Sequence, residues 1–157
     1  MTSKKIQSQQ DIATTVKRLR DAGKKIVTTC GAFDILHRGH LRSLLEAKKH
    51  GDILIVCLNS DNSIKQYKSP TRPVNPQEAR AELLAGLECV DYVVIFEEPD
   101  PRRVLDLIKP DVHVKSRSGF KGVERETVEK NGGKIVLIDD IPGISTTEIL
   151  KRARETA

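Results

Sequence analysis

The chain has 157 residues, 38% of them apolar and 31% charged, with a formal net charge of +5. That is one domain's worth of chain with enough apolar residues for a core, which excludes a disordered or fibrous protein. No run of eighteen apolar residues exists, so no membrane-spanning helix is expected, and residues 1–7 lack the apolar stretch of a signal peptide. The expected compartment is the cytoplasm, where Cys30, Cys57 and Cys89 are reduced thiols. The basic residues are scattered and Trp is absent, so no stacking platform for nucleic acid is expected. A small anionic substrate accounts for the charge as well as a solvated basic surface does.

In chain order, Ile12, Val16 and Leu19 share one face of a helix over 11–22, closed by Gly23. Residues 25–29 read as a first strand, and Leu41, Leu44, Leu45 and Lys48 mark a helix over 39–50. Residues 53–58 form an unbroken apolar run, the pattern of a strand buried on both faces. Asn75-Pro76-Gln77-Glu78 predicts a helix start, with Asn75 as N-cap, Pro76 in the first position and Glu78 reaching back. That helix is expected to run to about Glu88. A third strand over 92–96, a helix from 100 to before Pro110, a fourth strand over 112–115, a helix over 124–131, a fifth strand over 134–138 and a last helix over 146–154 follow. The alternation predicts a Rossmann-like, doubly wound sheet of five parallel strands in a three-layer α/β sandwich, with an extra N-terminal helix. The whole of 1–157 is expected to be one domain with a core over 25–154. In such sheets ligands bind beyond the carboxyl ends of the strands.

The segment after the first strand reads Cys30-Gly31-Ala32-Phe33-Asp34-Ile35-Leu36-His37-Arg38-Gly39-His40. His37 and His40, three apart at a helix start, share one side of the first turn. Gly31, Ala32 and Gly39 allow close approach to the backbone, and the free N–H groups of a helix N-terminus favour phosphate. The residues therefore describe a polyphosphate site with imidazole donors. A zinc site at His37 and His40 lacks further ligands nearby in sequence, and no metal ligand is assigned.

His37-Arg38-Gly39-His40, preceded by Phe33-Asp34, resembles the H-x-G-H motif of the cytidylyltransferase-like nucleotidyltransferases. Ile144-Ser145-Thr146-Thr147 is similar to the I-S-T-T motif of the same superfamily. Phe33 to His37, Asn59-Ser60-Asp61, residues 72–76, 90–94 and 109–115 resemble the adenylyltransferases of ADP-heptose synthesis. With no room for a kinase domain in this chain, the resemblance is to the free-standing form. It implies joining ATP and D-glycero-β-D-manno-heptose 1-phosphate to give ADP-heptose and pyrophosphate, with Mg²⁺ accompanying the nucleotide and a homodimer as the assembly. No nucleic acid or membrane partner is implied. Polyol or amino-alcohol phosphate cytidylyltransferases, flavin adenylyltransferases and a non-catalytic nucleotide sensor are the alternatives.

The resemblance implies phosphate contacts from His37, His40, a lysine (Lys65 or Lys68) and Thr147, with Ser145 and Thr146 beside them. Gly31, Ala32, Phe33 and Gly39 belong to the nucleotide side, as do Arg80 and Lys115. Arg72 is expected on the sugar phosphate, and Asn59 and Asp61 on the sugar. Asp34 either meets substrate or orders its loop. The run Ser116-Arg117-Ser118-Gly119-Phe120 stands where the heptose enzymes usually carry Gly-Gly-Asp-Tyr, and Arg117 is expected to take up nucleotide or phosphate there. Cys30 stands where many of them have Asn, and the loop 139–143 lacks an arginine of the glycerol-phosphate relatives. The cysteines, His50 and His113 are expected to be structural.

Overall fold

The structure is a computed structural model that describes residues 2–157. The described chain runs α1 (Thr2–Lys5), β1 (Ile6–Gln7), α2 (Gln9–Asp21), β2 (Ile26–Gly31), α3 (Arg38–Lys48), β3 (Ile53–Asn59) and α4 (Asp61–Tyr67). It continues through α5 (Gln77–Ala85), β4 (Tyr92–Phe96), α6 (Arg102–Ile108), β5 (Val112–Ser116), α7 (Arg125–Lys130), β6 (Lys134–Ile138) and α8 (Thr146–Thr156). All strands pair in parallel, in the order β1-β4-β3-β2-β5-β6. The sheet thus has six strands, not the expected five. The sixth is β1, two residues long and beyond the reach of periodicity, pairing Ile6 with Val93 and Gln7 with Val94. Lys5 anchors this edge by donating to the carbonyls of Leu87 and Val90.

Two apolar layers cover the sheet. Leu44 and Ala47 of α3, with Ala81, Leu84 and Ala85 of α5, pack on one face against Val27, Leu54, Val56 and Val114. Ile12, Val16 and Leu19 of α2, with Val104, Leu105 and Ile108 of α6 and Val128 of α7, pack on the other against Ile26, Ile55, Cys57 and Val94. The central strands are buried on both faces, as the unbroken apolar run over 53–58 requires. Ser8 caps α2 by accepting from the N–H of Asp11, and Gly23, at φ 75°, turns the chain out of that helix.

Four local expectations are corrected. Asn75 does not cap α5: Pro76 holds the cap position, Glu78 makes no return bond, and the Asn75 amide instead donates to the Asp34 carbonyl at 2.7 Å. That helix ends at Ala85, short of Glu88. The stretch after β3, for which no element was expected, opens as helix α4, capped by Ser60 accepting from the Ser63 N–H. Cys30 and Gly31 belong to β2, not to the loop beyond it.

The neighbours of β2 set the position of the site. The chain steps from β2 to β3 on one side, and β5 pairs with β2 on the other, so the strand order reverses there. The crevice of an open α/β sheet lies at that reversal. Close packing at the opposite, amino-terminal ends of β5 and β6 gives a first prediction. A Cβ on Gly133 would sit 2.2 Å from the Pro110 carbonyl oxygen and 3.0 Å from Val128 Cγ1. Gly133→Ala is expected to lower the unfolding free energy by about 1–3 kcal/mol in urea titration with an unchanged slope.

Candidate active site

Two joined cavities lie at the reversal. The inner one, about 190 Å³, is lined by Gly31, Ala32, Phe33 and Asp34 after β2, by His40, Ser43 and Lys68, and by Lys115, Ser116 and Gly119 after β5. The outer one, about 300 Å³, adds His37, Gly39, Ile144, Ser145, Thr146 and Thr147. His40, Ser43, Lys68, Ser116 and Thr146 line both. A larger open groove of about 930 Å³ lies along Arg42, Leu45, Lys49 and Ile141. It holds neither of the paired histidines nor a helix N-terminus, so chemistry places the site in the smaller pair.

The histidine pair is built by the helix it begins. His37 is the N-cap of α3, and its Nδ1 accepts from the N–H groups of Gly39 at 3.1 Å and His40 at 3.4 Å. His40 returns the contact: its Nδ1 accepts from the His37 N–H at 3.3 Å. Each Nδ1 is therefore an acceptor, which assigns the proton of each neutral ring to Nε2. The rings stack with centroids 3.8 Å apart. A Cβ on Gly39 would come within 2.9 Å of His37 Cε1, so only glycine leaves room for that ring. The result is a pair of fixed Nε2–H donors at a helix N-terminus.

Burial, then the neighbouring His37 and Lys68, lowers His40 to about 4, and burial lowers His37. At neutral pH His40 is therefore a neutral donor rather than an imidazolium. Positive charge comes from Lys68, which lines both cavities and is itself lowered by burial and then by Arg72. Lys65 is exposed and lines neither cavity. Across the outer cavity stands the N-terminus of α8. Ser145 Oγ accepts from the Glu148 N–H as its cap, which leaves the Thr146 and Thr147 hydroxyls at the cavity wall.

The inner cavity is backed by strained and buried groups. Phe33 adopts φ 46°, a left-handed conformation costly for a bulky residue, and its ring lies over Gly31 and 5.1 Å from the His40 ring. Lys115 donates to the Cys30 carbonyl at 2.9 Å and approaches Cys30 Sγ at 3.2 Å. Burial depresses its ammonium, but Cys30, and then Glu124, outweigh burial and the net shift is upward.

Several expected site residues are engaged within the protein instead. Arg80, expected at the nucleotide, is sealed under the crevice with its guanidinium fully buried. It donates to the carbonyls of Ala32, Asn59 and Asn75 and pairs with Asp61 at 2.8 Å. Its own burial keeps it from ligand. Asp61, expected on sugar, is held by that pairing. Asn59 is buried and donates its amide to Ser63 Oγ. Asp34 accepts from the N–H groups of Val74 and Asn75, so it orders the loop before α5. Arg72 leans on the same carboxylate at 3.4 Å and lines neither cavity. Arg117 turns to Asp139 at 2.8 Å with its side chain 62% exposed, away from the cavities it was expected to enter. Ser43 was missed, although it sits three residues after His40 on the same helix face.

A parallel sheet whose strand-order reversal carries imidazole donors and facing helix N-termini defines a nucleotidyltransferase. The chain belongs to the cytidylyltransferase-like family, whose sequence profile matches residues 28–152. It is 49% identical over 154 residues to the "Bifunctional protein HldE" of a Nitratiruptor species, covering 98% of this chain and 33% of that protein. It is 44% identical over 151 residues to the protein of the same description from Aliarcobacter butzleri, covering 96% and 31%. The chain thus spans about a third of the length of these relatives. Among solved structures, the lipopolysaccharide core biosynthesis protein of Thermoplasma volcanium superposes with a TM-score of 0.64 at 28% identity, over 76% of this chain and 98% of that one. The pantoate-beta-alanine ligase of Francisella tularensis shares the fold with a TM-score of 0.62 at 16% identity, over 95% and 76%. No helix among the described residues is long and apolar enough to cross a membrane.

Two predictions follow the geometry. Arg80→Ala leaves two buried carbonyls and a half-buried third without this donor, and equilibrium unfolding is expected to show a loss of about 3–5 kcal/mol. For His40, the folded value near 4 lies below the ordinary 6.5. The unfolded chain takes up the proton first, so stability is full above pH 6.5 and falls as pH drops toward 4. His40→Gln, which keeps a capping acceptor, is expected to remove about 2–3 kcal/mol of that acid loss, read from denaturant midpoints at neutral and acid pH.

Proposed function

We propose that this nucleotidyltransferase joins ATP and D-glycero-β-D-manno-heptose 1-phosphate, releasing ADP-heptose and pyrophosphate. The observation that carries the transfer chemistry is the pair of Nε2–H donors, His37 and His40, fixed beside Lys68 between two helix N-termini. A phosphate oxygen of the sugar phosphate attacks the α-phosphorus of the triphosphate. The bond from the α-phosphorus to the bridging oxygen breaks, and its electron pair leaves on pyrophosphate. The nucleophile is already an anion, so no general base is required. What the reaction needs is alignment and neutralisation of charge on the equatorial and leaving oxygens.

His37 and His40 serve that need as neutral donors with no reorganisation, because the backbone holds their tautomers. Lys68 adds the positive charge, and the α8 N-terminus with Thr146 and Thr147 grips the far phosphates. Lys115 and the Gly31–Phe33 backbone face the inner cavity and serve the nucleoside side. Mg²⁺ fits as part of the nucleotide substrate. The carboxylates near the floor, Asp34 and Asp61, are engaged by backbone N–H groups and by Arg80, so phosphate oxygens and water would hold the ion.

The choice of sugar rests on relatives described as bifunctional HldE proteins and on the solved lipopolysaccharide core biosynthesis protein. Three free, buried cysteines support the cytoplasm as the compartment, and a homodimer remains the proposed assembly.

The test is pyrophosphate release across ATP and CTP with heptose 1-phosphate, glycerol 3-phosphate and flavin mononucleotide. ATP with the heptose phosphate is expected to turn over fastest, and faster turnover of any other pair would replace the proposed substrates. His40→Ala is expected to lower kcat by about two to four orders of magnitude while nucleotide affinity changes far less.

A further inference from the structure

Beneath the inner cavity three side chains with no part in the transfer converge from distant points of the chain. Cys30 on β2, His113 on β5 and Glu124 just before α7 are all buried, and their ligand atoms lie within 4.8 Å of one another. His113 Nε2 is 3.9 Å from Cys30 Sγ and 3.9 Å from Glu124 Oε1. Glu124 is only 3% exposed, and its Oε2 has no hydrogen-bond partner among the described residues. A carboxylate oxygen buried without a donor is costly, and a cation removes that cost.

We propose that Cys30 Sγ, His113 Nε2 and the Glu124 carboxylate bind one divalent transition-metal ion, with zinc as the fitting one. Thiolate, imidazole and carboxylate are the donor types zinc takes together. Bond lengths of about 2.3 Å to sulfur and 2.0–2.2 Å to nitrogen or oxygen give tetrahedral edges of roughly 3.4–3.6 Å. The two 3.9 Å separations need only a contraction of a few tenths of an ångström to reach them. The second shell fits as well. Thr28 Oγ1 lies 2.8 Å from His113 Nδ1, and accepting that N–H leaves the Nε2 lone pair toward the other two ligands.

Charge balance points the same way. Binding expels the Cys30 thiol proton to solvent, and zinc with a thiolate, a neutral imidazole and a carboxylate sums to zero. Lys115 Nζ, 3.2 Å from Cys30 Sγ, donates to the thiolate from outside the ligand set. Cys30 lines the inner cavity, which gives the ion its way in. The site is separate from any Mg²⁺ carried by nucleotide, and it does not depend on the identity of base or sugar.

The test uses the full chain freed of metal, incubated with Zn²⁺ or Co²⁺ in excess Mg²⁺ and then desalted. About one equivalent of zinc per chain is expected by mass spectrometry. Bound Co²⁺ is expected to show a thiolate-to-metal charge-transfer band. Cys30→Ser loses that band, and Glu124→Gln weakens binding by at least about tenfold. The Cys57→Ser, Cys89→Ser double variant, with Cys30 as its sole thiol, retains the band, which keeps the test open should Cys30→Ser fail to fold. Folded wild-type protein that retains no metal, or a band that survives Cys30→Ser, would overturn the proposal.

Discussion

The crevice depends on one buried cation. Arg80 reaches from α5 under the site and donates to the carbonyls at the ends of β2 and β3, to the carbonyl that leads into α5 itself, and to Asp61 at the start of α4. Strand ends leave carbonyl groups without partners, and a crevice that must stay open cannot cover them with more sheet. A planar guanidinium satisfies several at once and fixes their spacing. Asp34 does the complementary work from the other side, accepting the N–H groups of the loop before α5. Together these charges hold the floor on which the phosphate machinery stands.

That machinery rests on a reuse of helix capping. An N-cap normally satisfies orphan N–H groups with a short oxygen-bearing side chain. Here imidazoles fill both halves of the capping box, so one set of hydrogen bonds ends the helix and sets the proton on the opposite ring nitrogen. Stability and donor geometry are thus the same interaction. The rings need no other orienting residue, and Gly39 between them is the steric condition that allows it.

Much of this was legible in the sequence because it is local. Alternating apolar runs and amphipathic stretches mark the helices and most of the strands, and His37, Gly39, His40 and Ser145 to Thr147 lie in short windows whose spacing states their use. What was not legible is long-range. β1 is too short to show a period, and α4 has only a capping serine to announce it. Arg80, Asn59, Asp61 and Arg117 look like ligand contacts by residue type. Their partners, 4 to 48 residues away, engage them within the protein instead. Cys30 and His113, 83 residues apart, become neighbours only when β2 and β5 pair.

That pairing also joins parts of the site that lie far apart in the chain. β2 and β3 are joined by one crossover, whereas β5 finds β2 only after β3, β4 and their helices have intervened, bringing Val27 beside Val112. Closing so long a loop is entropically slow, and the reward comes at the end. The histidines of α3 and the wall that faces them are thus far apart in sequence, since Lys115, Ser116 and α8 all lie in the carboxyl-terminal third of the chain. Without that third of the chain the donors would have no enclosure.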